Sequence, residues 1–312
     1  MFPSLYPRAL GWSLPAHDQI ALAAAARFSA VDLAVRDLHD QGASAPDLRR
    51  QLDSLGLRAG GFPLPVDWRS LDPNRIQDQI SRLPYLAEFA QTLGLLTAST
   101  WLLPAADDHA LACACAARPP MRPPNDLDPD GLLRLHLALL SPIVRILHRH
   151  GLRLALEVIG VPSFRLGRRA TFIHRLDDPR LAWLVSALNH LVDAPRGHAV
   201  GLLCDTFHLY AADEPIEHAL AWGPEAIAWV HVANLPPDFD GPRSAIRDDD
   251  RGLPSHHGPV PNRLVLKRLA EAGYRGPVSP EPMPGCRSLA GLPPRHQAQL
   301  LRDALQTVWP EL

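Results

Sequence analysis

Gly201-Leu-Leu-Cys-Asp-Thr-Phe-His208 decides the reading of this chain, together with Ile227-Ala-Trp-Val-His231, which follows it. Each is a short apolar run, of strand rather than helix length, ending on a side chain able to ligate a metal or move a proton. Upstream, Leu152–Ile159 has the same form and carries Glu157. Downstream, Gly276–Glu281 repeats it and ends on Glu281. Helical runs at Pro179–Val192, Pro215–Ala221, Asn262–Ala272 and Pro293–Val308 fall between or after these strands.

The alternation extends back to the N-terminus. Strands are expected at Arg8–Leu14, Ala30–Val35, Leu57–Leu64 and Leu95–Leu103, with helices at His17–Phe28, Ala45–Leu55, Arg75–Leu93 and Gly131–His150. Eight strand–helix alternations without a break in composition specify an α/β fold. The expected form is a single (β/α)₈ TIM barrel in which residues 1–312 make one domain. Two connections stand out as long, irregular and rich in proline: Pro104–Pro129 after the fourth strand and Pro236–Pro261 after the seventh.

Bulk properties narrow the function. A chain of 312 residues suits one barrel with insertions, and 46% hydrophobic residues supply its core. The formal charge of −2 gives no pull toward nucleic acid or anionic lipid. No run approaches the ~18 apolar residues of a membrane span. Met1–Trp12 lacks the basic region and the long apolar run of a signal sequence. The thiols Cys113, Cys115, Cys204 and Cys286 lack zinc-site spacing, so reduced thiols in a cytoplasmic protein are expected. The only lysine, Lys267, lies in a helical run, which argues against Schiff-base chemistry.

Four late strands thus place Glu157, Asp205, His231 and Glu281 at or near their C-terminal ends. Barrel active sites form on that face, where side chains from separate strands converge. If Glu157 points inward, so does Ala155, while Leu154 and Leu156 face the helices, and Cys204 points away beside Asp205. Three carboxylates converging in a poorly hydrated cavity need a cation. Oxygen ligands with one imidazole suit a single divalent ion, Mn²⁺, Mg²⁺ or Co²⁺, with Zn²⁺ as the alternative.

The runs Ala155-Leu-Glu157, Gly201-Leu-Leu-Cys-Asp-Thr-Phe-His208, Val230-His-Val-Ala-Asn234 and Gly276-Pro-Val-Ser-Pro-Glu281 resemble the xylose-isomerase-like TIM barrels. That group contains sugar phosphate isomerases and epimerases, ketose 3-epimerases, hydroxypyruvate isomerases and inosose dehydratases. The resemblance implies that Glu157, Asp205, His231 and Glu281 hold the metal. It also implies that Glu157 and Glu281 act as acid and base through an enediolate, and that His208 touches a small carbohydrate substrate. Arg251-Gly-Leu-Pro-Ser-His-His-Gly258 looks like the family's R-x-L-P-G-x-G loop, which makes Arg251 and His257 substrate-binding candidates.

Two family features are replaced. Asn234-Leu-Pro-Pro stands where ketose epimerases carry an arginine, and Gly160-Val-Pro-Ser163 where they carry a further glutamate. An arginine from the loop after the seventh strand (Arg243, Arg247 or Arg251) is expected to substitute, with Arg165 and Arg168 as other anion-pairing candidates. Trp12 and Trp101 are candidates for a wall under a sugar ring or for core packing. Isomerisation or epimerisation of a sugar is the leading reading, with self-association into a homo-oligomer left open. Polyol dehydration on the same site, a non-catalytic sugar-binding barrel and endonuclease-IV-like phosphodiester hydrolysis are its rivals. The last needs more histidine ligands and a cationic surface.

Overall fold

The computed structural model describes residues 1–106, 128–165, 170–195 and 197–309. Strands β1 (Phe2–Leu5), β2 (Ala30–Val31), β3 (Arg58–Ala59), β4 (Gly61–Pro63) and β5 (Thr97–Trp101) come from the first half. The short β6 (Ala105–Ala106) is followed by β7 (Arg153–Glu157), β8 (Ala170–Thr171), β9 (Val200–Asp205), β10 (Ile227–Val232) and β11 (Pro277–Pro280). Nine of these form one sheet in the order β3-β2-β1-β11-β10-β9-β7-β5-β4, every neighbouring pair parallel. Its two end strands, β3 and β4, flank Gly60 and are halves of one strand, so the sheet closes on itself as a TIM barrel. A Cβ at Gly60 would collide with the buried Asp32 carboxylate, which is why glycine breaks the strand there.

The first strand differs from expectation. Arg8–Leu14 is not extended: Pro7–Leu10 forms a 3₁₀ turn and the strand lies earlier, at Phe2–Leu5. Pro7 fixes φ at the first position of the turn, and Gly11, left-handed at φ 68°, ends it. The shift places Tyr6 at the strand end and Arg8 in the loop above it.

Strand alternation sorts the core as expected. Ala155, Leu203, Ala228 and Trp229 cluster inside the barrel, whereas Leu154, Leu156, Leu202 and Cys204 belong to the larger core between sheet and helices. Beneath the rim the barrel holds a polar plug. Asp32 accepts hydrogen bonds from Ser4 Oγ (2.7 Å), Ser279 Oγ (2.6 Å) and the Gly61 amide (2.7 Å), and Trp229 Nε1 donates to Ser279 Oγ at 2.9 Å. Burial, only partly offset by these donors, pushes the Asp32 carboxyl up to about 6.

Pro129–Arg149 corrects another expectation, being long and apolar enough to cross a membrane by length and composition. Its Leu132, Leu135, Leu140, Ile143 and Leu147 are buried in the barrel's outer core, which accounts for that composition without a bilayer. Cys204 and Cys286 are free and buried. Cys113 and Cys115, and most of the Pro104–Pro129 connection, lie outside the described residues. The start of that connection pairs antiparallel with the loop after β7, through β6 and β8.

The connection after β10 is long, as expected. It contains short 3₁₀ turns at Arg243–Ala245 and Asp248–Asp250 and is pinned by a bridge between Asn234 and Gly252. Asn234 is buried and holds the loop from inside, donating to Ser255 O (2.7 Å) and accepting from the Val260 amide (3.0 Å). Its place in the sequence therefore reflects loop anchoring.

Candidate metal centre

Glu157 ends β7, Asp205 ends β9, His231 lies in β10 and Glu281 follows β11, its amide still donating to Val232 O at 2.9 Å. Register aligns His231 with Asp205 across β9–β10 and with Ser279 across β10–β11. One ligating atom from each of the four lies within 4.8 Å of the others. Asp205 and His231 are buried and the two glutamates partly so.

The hydrogen bonding of this group is incomplete. Glu157 Oε1 and both ring nitrogens of His231 are buried without a hydrogen-bond partner among the described residues. His231 Nδ1 does lie 3.1 Å from Glu281 Oε2, an ion-pair distance off the line a hydrogen bond needs. Burial, with the charges of Glu281 and Asp205 adding to it, holds the Glu157 carboxyl well above its usual range. Burial works against His231 too, but Glu281 outweighs it and raises the imidazole. Orphaned acceptors in a converging set of three carboxylates and one imidazole fit a divalent cation.

Arg251 enters from the connection after β10. It is 3% exposed, stacks over the Phe207 ring at 4.8 Å, and donates through Nη1 to Asp205 Oδ2 (2.6 Å) and through Nη2 to Asp248 Oδ1 (2.8 Å). Its Nη1 is also 3.1 Å from Glu281 Oε2. Against the cost of burial, the Arg251 charge, with that of His231, holds Asp205 below the usual carboxylate range. The other Asp205 oxygen caps the Thr206–Ala211 helix, accepting from the Phe207 amide at 2.7 Å. Arg251 is thus held inside the cluster as a fixed counter-charge to its carboxylates.

His208 lies beside the cluster, its Nε2 3.0 Å from Arg251 Nη2 and 3.9 Å from Glu157 Oε1, and is 3% exposed. Burial, then the Arg251 charge, lowers its pKa, which suits a neutral ring accepting at Nε2. It supports the cluster from behind and does not line the cavity. Gly160 permits this packing, because a Cβ there would strike the His208 carbonyl. His257 is exposed, with its ring against His256, and is not brought to the cluster. Arg243 pairs with Asp213 and Arg247 with Asp249, both away from the ligand group, and Arg165 donates to Gly160 O. Arg168 lies outside the described residues.

Above the cluster opens a cavity of about 560 Å³, with Glu157, His231 and Glu281 in its wall. Apart from Met283 and Pro284, the rest of its wall comes from the N-terminal half of the chain, Tyr6, Arg8, Arg36, Arg69, Arg75 and Trp101 among it. Trp101 carries the Arg69 guanidinium over its ring at 3.7 Å and so forms part of the cavity, whereas Trp12 packs on the core and donates to Gln297. Except for Trp101, the sequence pattern does not single these residues out. The rule applied to the late strands, reading the residues just past each strand's C-terminal end, reaches Tyr6 after β1 and Arg36 after β2.

A closed parallel barrel with the Glu157–Asp205–His231–Glu281 cluster at its C-terminal rim defines the class. The family model described as xylose isomerase-like TIM barrel matches residues 20–307, and the chain belongs to that family. A xylose isomerase domain protein from Alicyclobacillus acidocaldarius superposes with a TM-score of 0.76 at 22% identity, over 99% of this chain and 98% of that one. The IolI protein, crystallised with a bound zinc atom, gives 0.75 at 17% identity, covering 100% and 99%. D-psicose 3-epimerase from Clostridium cellulolyticum, solved with D-tagatose, gives 0.67 at 15% identity, with 99% of each chain covered. No curated protein matches the sequence.

Proposed function

We propose that this protein is a divalent-metal-dependent isomerase or epimerase of a small polyhydroxy carbonyl compound. The observation that carries the reading is the pair Glu157 and Glu281, held on separate strands in one four-residue cluster at the foot of a cavity of sugar size. Family membership supports it, as do structural neighbours that include a ketose epimerase and a zinc-containing protein.

Glu157, Asp205, His231 and Glu281 would hold the ion, which when bound polarises a carbonyl and so acidifies the neighbouring C–H. Glutamates on β7 and after β11 reach the substrate from different sides. One removes the proton beside the carbonyl, and the other returns a proton to the opposite face or to the adjacent carbon of the enediolate. Arg251 keeps Asp205 ionised, and His208 with Asp248 keeps Arg251 in place. Tyr6, whose ring lies 5.5 Å from that of His231, closes the side of the cluster toward β1. The presence of one histidine in the cluster speaks against an endonuclease-IV-like centre.

The test is solvent exchange. With Mn²⁺ in D₂O, the protein should replace the carbon-bound hydrogen beside the carbonyl of a ketose with deuterium, read by NMR. Absence of exchange across a panel of ketoses and keto-polyols would overturn the reading.

A further inference from the structure

The cavity is electrically two-ended. Its floor carries Glu157 and Glu281, and its other wall carries Arg8, Arg36, Arg69 and Arg75, with Asp67 as the one carboxylate among the lining residues on that side. Arg8 and Arg75 are exposed and pair with Asp37 (3.3 Å) and Asp67 (3.8 Å). Surface pairs of this kind are weak and readily exchanged for another anion.

Arg36 and Arg69 differ from these two. Arg69 is fixed, with its guanidinium 3.7 Å over the Trp101 ring and Nη1 donating to Trp101 O (2.8 Å) and Thr100 Oγ1 (3.1 Å). Arg36 is half-buried at the start of the Val35–Asp40 helix, and its Nη2 is buried with no hydrogen-bond partner among the described residues. Burial lowers its guanidinium from the ordinary value, although Asp40 and Asp37 act the other way. A buried, unpartnered guanidinium donor is costly, and an anion accepting from it would remove that cost.

We propose that Arg36, with Arg69 and Arg75 beside it, forms an anion subsite for the substrate end remote from the metal cluster. The substrate class is then a sugar derivative bearing a terminal phosphate or carboxylate. This rests on the proposed enolising site for which end of the substrate reacts, but the subsite itself stands on the arginines. Arginine suits the task because its planar fork pairs bidentately with either anion.

Two measurements on the Mn²⁺-loaded protein test this. Calorimetric titration with inorganic phosphate and with malonate should show binding of at least one, weakened at least about tenfold by Arg36→Gln, the loss of one charge-assisted contact. The weakening should recur in Arg75→Gln, a surface change that leaves folding intact, and be absent in Arg263→Gln, remote from the cavity. Neither anion binding, or binding indifferent to Arg36 and Arg75, overturns the subsite. Deuterium exchange into a ketohexose, its 6-phosphate and its 6-carboxylate then separates the two readings. Faster exchange into a charged sugar than the neutral one supports the subsite and identifies the group. Equal exchange into all three overturns the subsite and leaves the enolising reading standing. Anion binding lost in Arg36→Gln, with no exchange into any sugar, leaves the subsite and overturns the enolising reading.

Discussion

Arg251 and Asp205 form a fully enclosed ion pair, Nη1 to Oδ2 at 2.6 Å, at the point where the loop after β10 meets the end of β9. The same guanidinium reaches Asp248 at 2.8 Å and Glu281 at 3.1 Å, so one cation faces three carboxylates from three elements. The pair ties the loop to the ligand group and sets the charge of both.

Arg251→Met should therefore destabilise the fold by about 3–5 kcal/mol, the usual penalty for stranding a buried partner. Arg251→Lys should lose a large part of this as well, since an ammonium cannot span Asp205 and Asp248 as the fork does. Urea unfolding with unchanged midpoints in both variants would contradict the internal role and return Arg251 to the substrate.

Metal affinity should depend on all four cluster residues. His231→Ala or Asp205→Asn should weaken Mn²⁺ binding by more than the roughly 10–100-fold that loss of an outer hydrogen-bond partner costs, because a direct ligand disappears. Calorimetry is the check, and a variant binding Mn²⁺ like wild type would remove that residue from the ligand set. Substituting exposed His257 should leave affinity unchanged.

The late strands are legible because each writes its function into a short run: apolar residues alternating to a polar strand end. That pattern locates Glu157, Asp205, His231 and Glu281 and sets Ala155 and Cys204 on the correct faces. The early strands are only two to five residues long, and proline and glycine interrupt them. Phe2-Pro-Ser-Leu5 is too brief to carry a period, which is why the apolar Arg8–Leu14 segment stands in for it. Arg36 and Arg69 are hidden because nothing in the sequence distinguishes them from solvated surface arginines. Only barrel closure brings them into the cavity that Glu157 also lines. Arg251 is legible as a site residue but its burial is not, since a loop rich in aspartate reads as exposed.

Turnover should require both glutamates. Glu157→Gln and Glu281→Gln keep side-chain volume and remove basicity, so each should lower kcat by about 10²–10⁴-fold while thermal melting stays close to wild type. The assay is deuterium exchange into the best substrate found. Near wild-type exchange in either variant would leave a single-base mechanism.

His136 should make stability depend on pH. It is fully buried on the Pro129–Arg149 helix, stacked on Phe172 at 4.9 Å, with Nδ1 2.7 Å from Leu132 O and Nε2 accepting from the Leu103 amide at 3.0 Å. That geometry needs the neutral ring, and burial lowers its pKa to about 4. An unfolded histidine titrates near 6.5. Between those values the unfolded chain binds the extra proton, so stability rises with pH there. The contribution is complete above about 6.5 and is lost as pH falls toward 4, amounting to about 3 kcal/mol over that span. Asp32 runs the opposite way: its carboxyl, raised to about 6, binds a proton in the folded state first, so its contribution fades as pH rises from about 4 to 6. The two largely cancel in that window, and the signature of His136 is a difference. His136→Gln should cost more stability at pH 7 than at pH 4.5, by up to about 3 kcal/mol, in paired urea titrations. An equal cost at both pH values would mean that the ring titrates like an exposed histidine, and a larger cost at pH 4.5 that it is protonated in the folded protein.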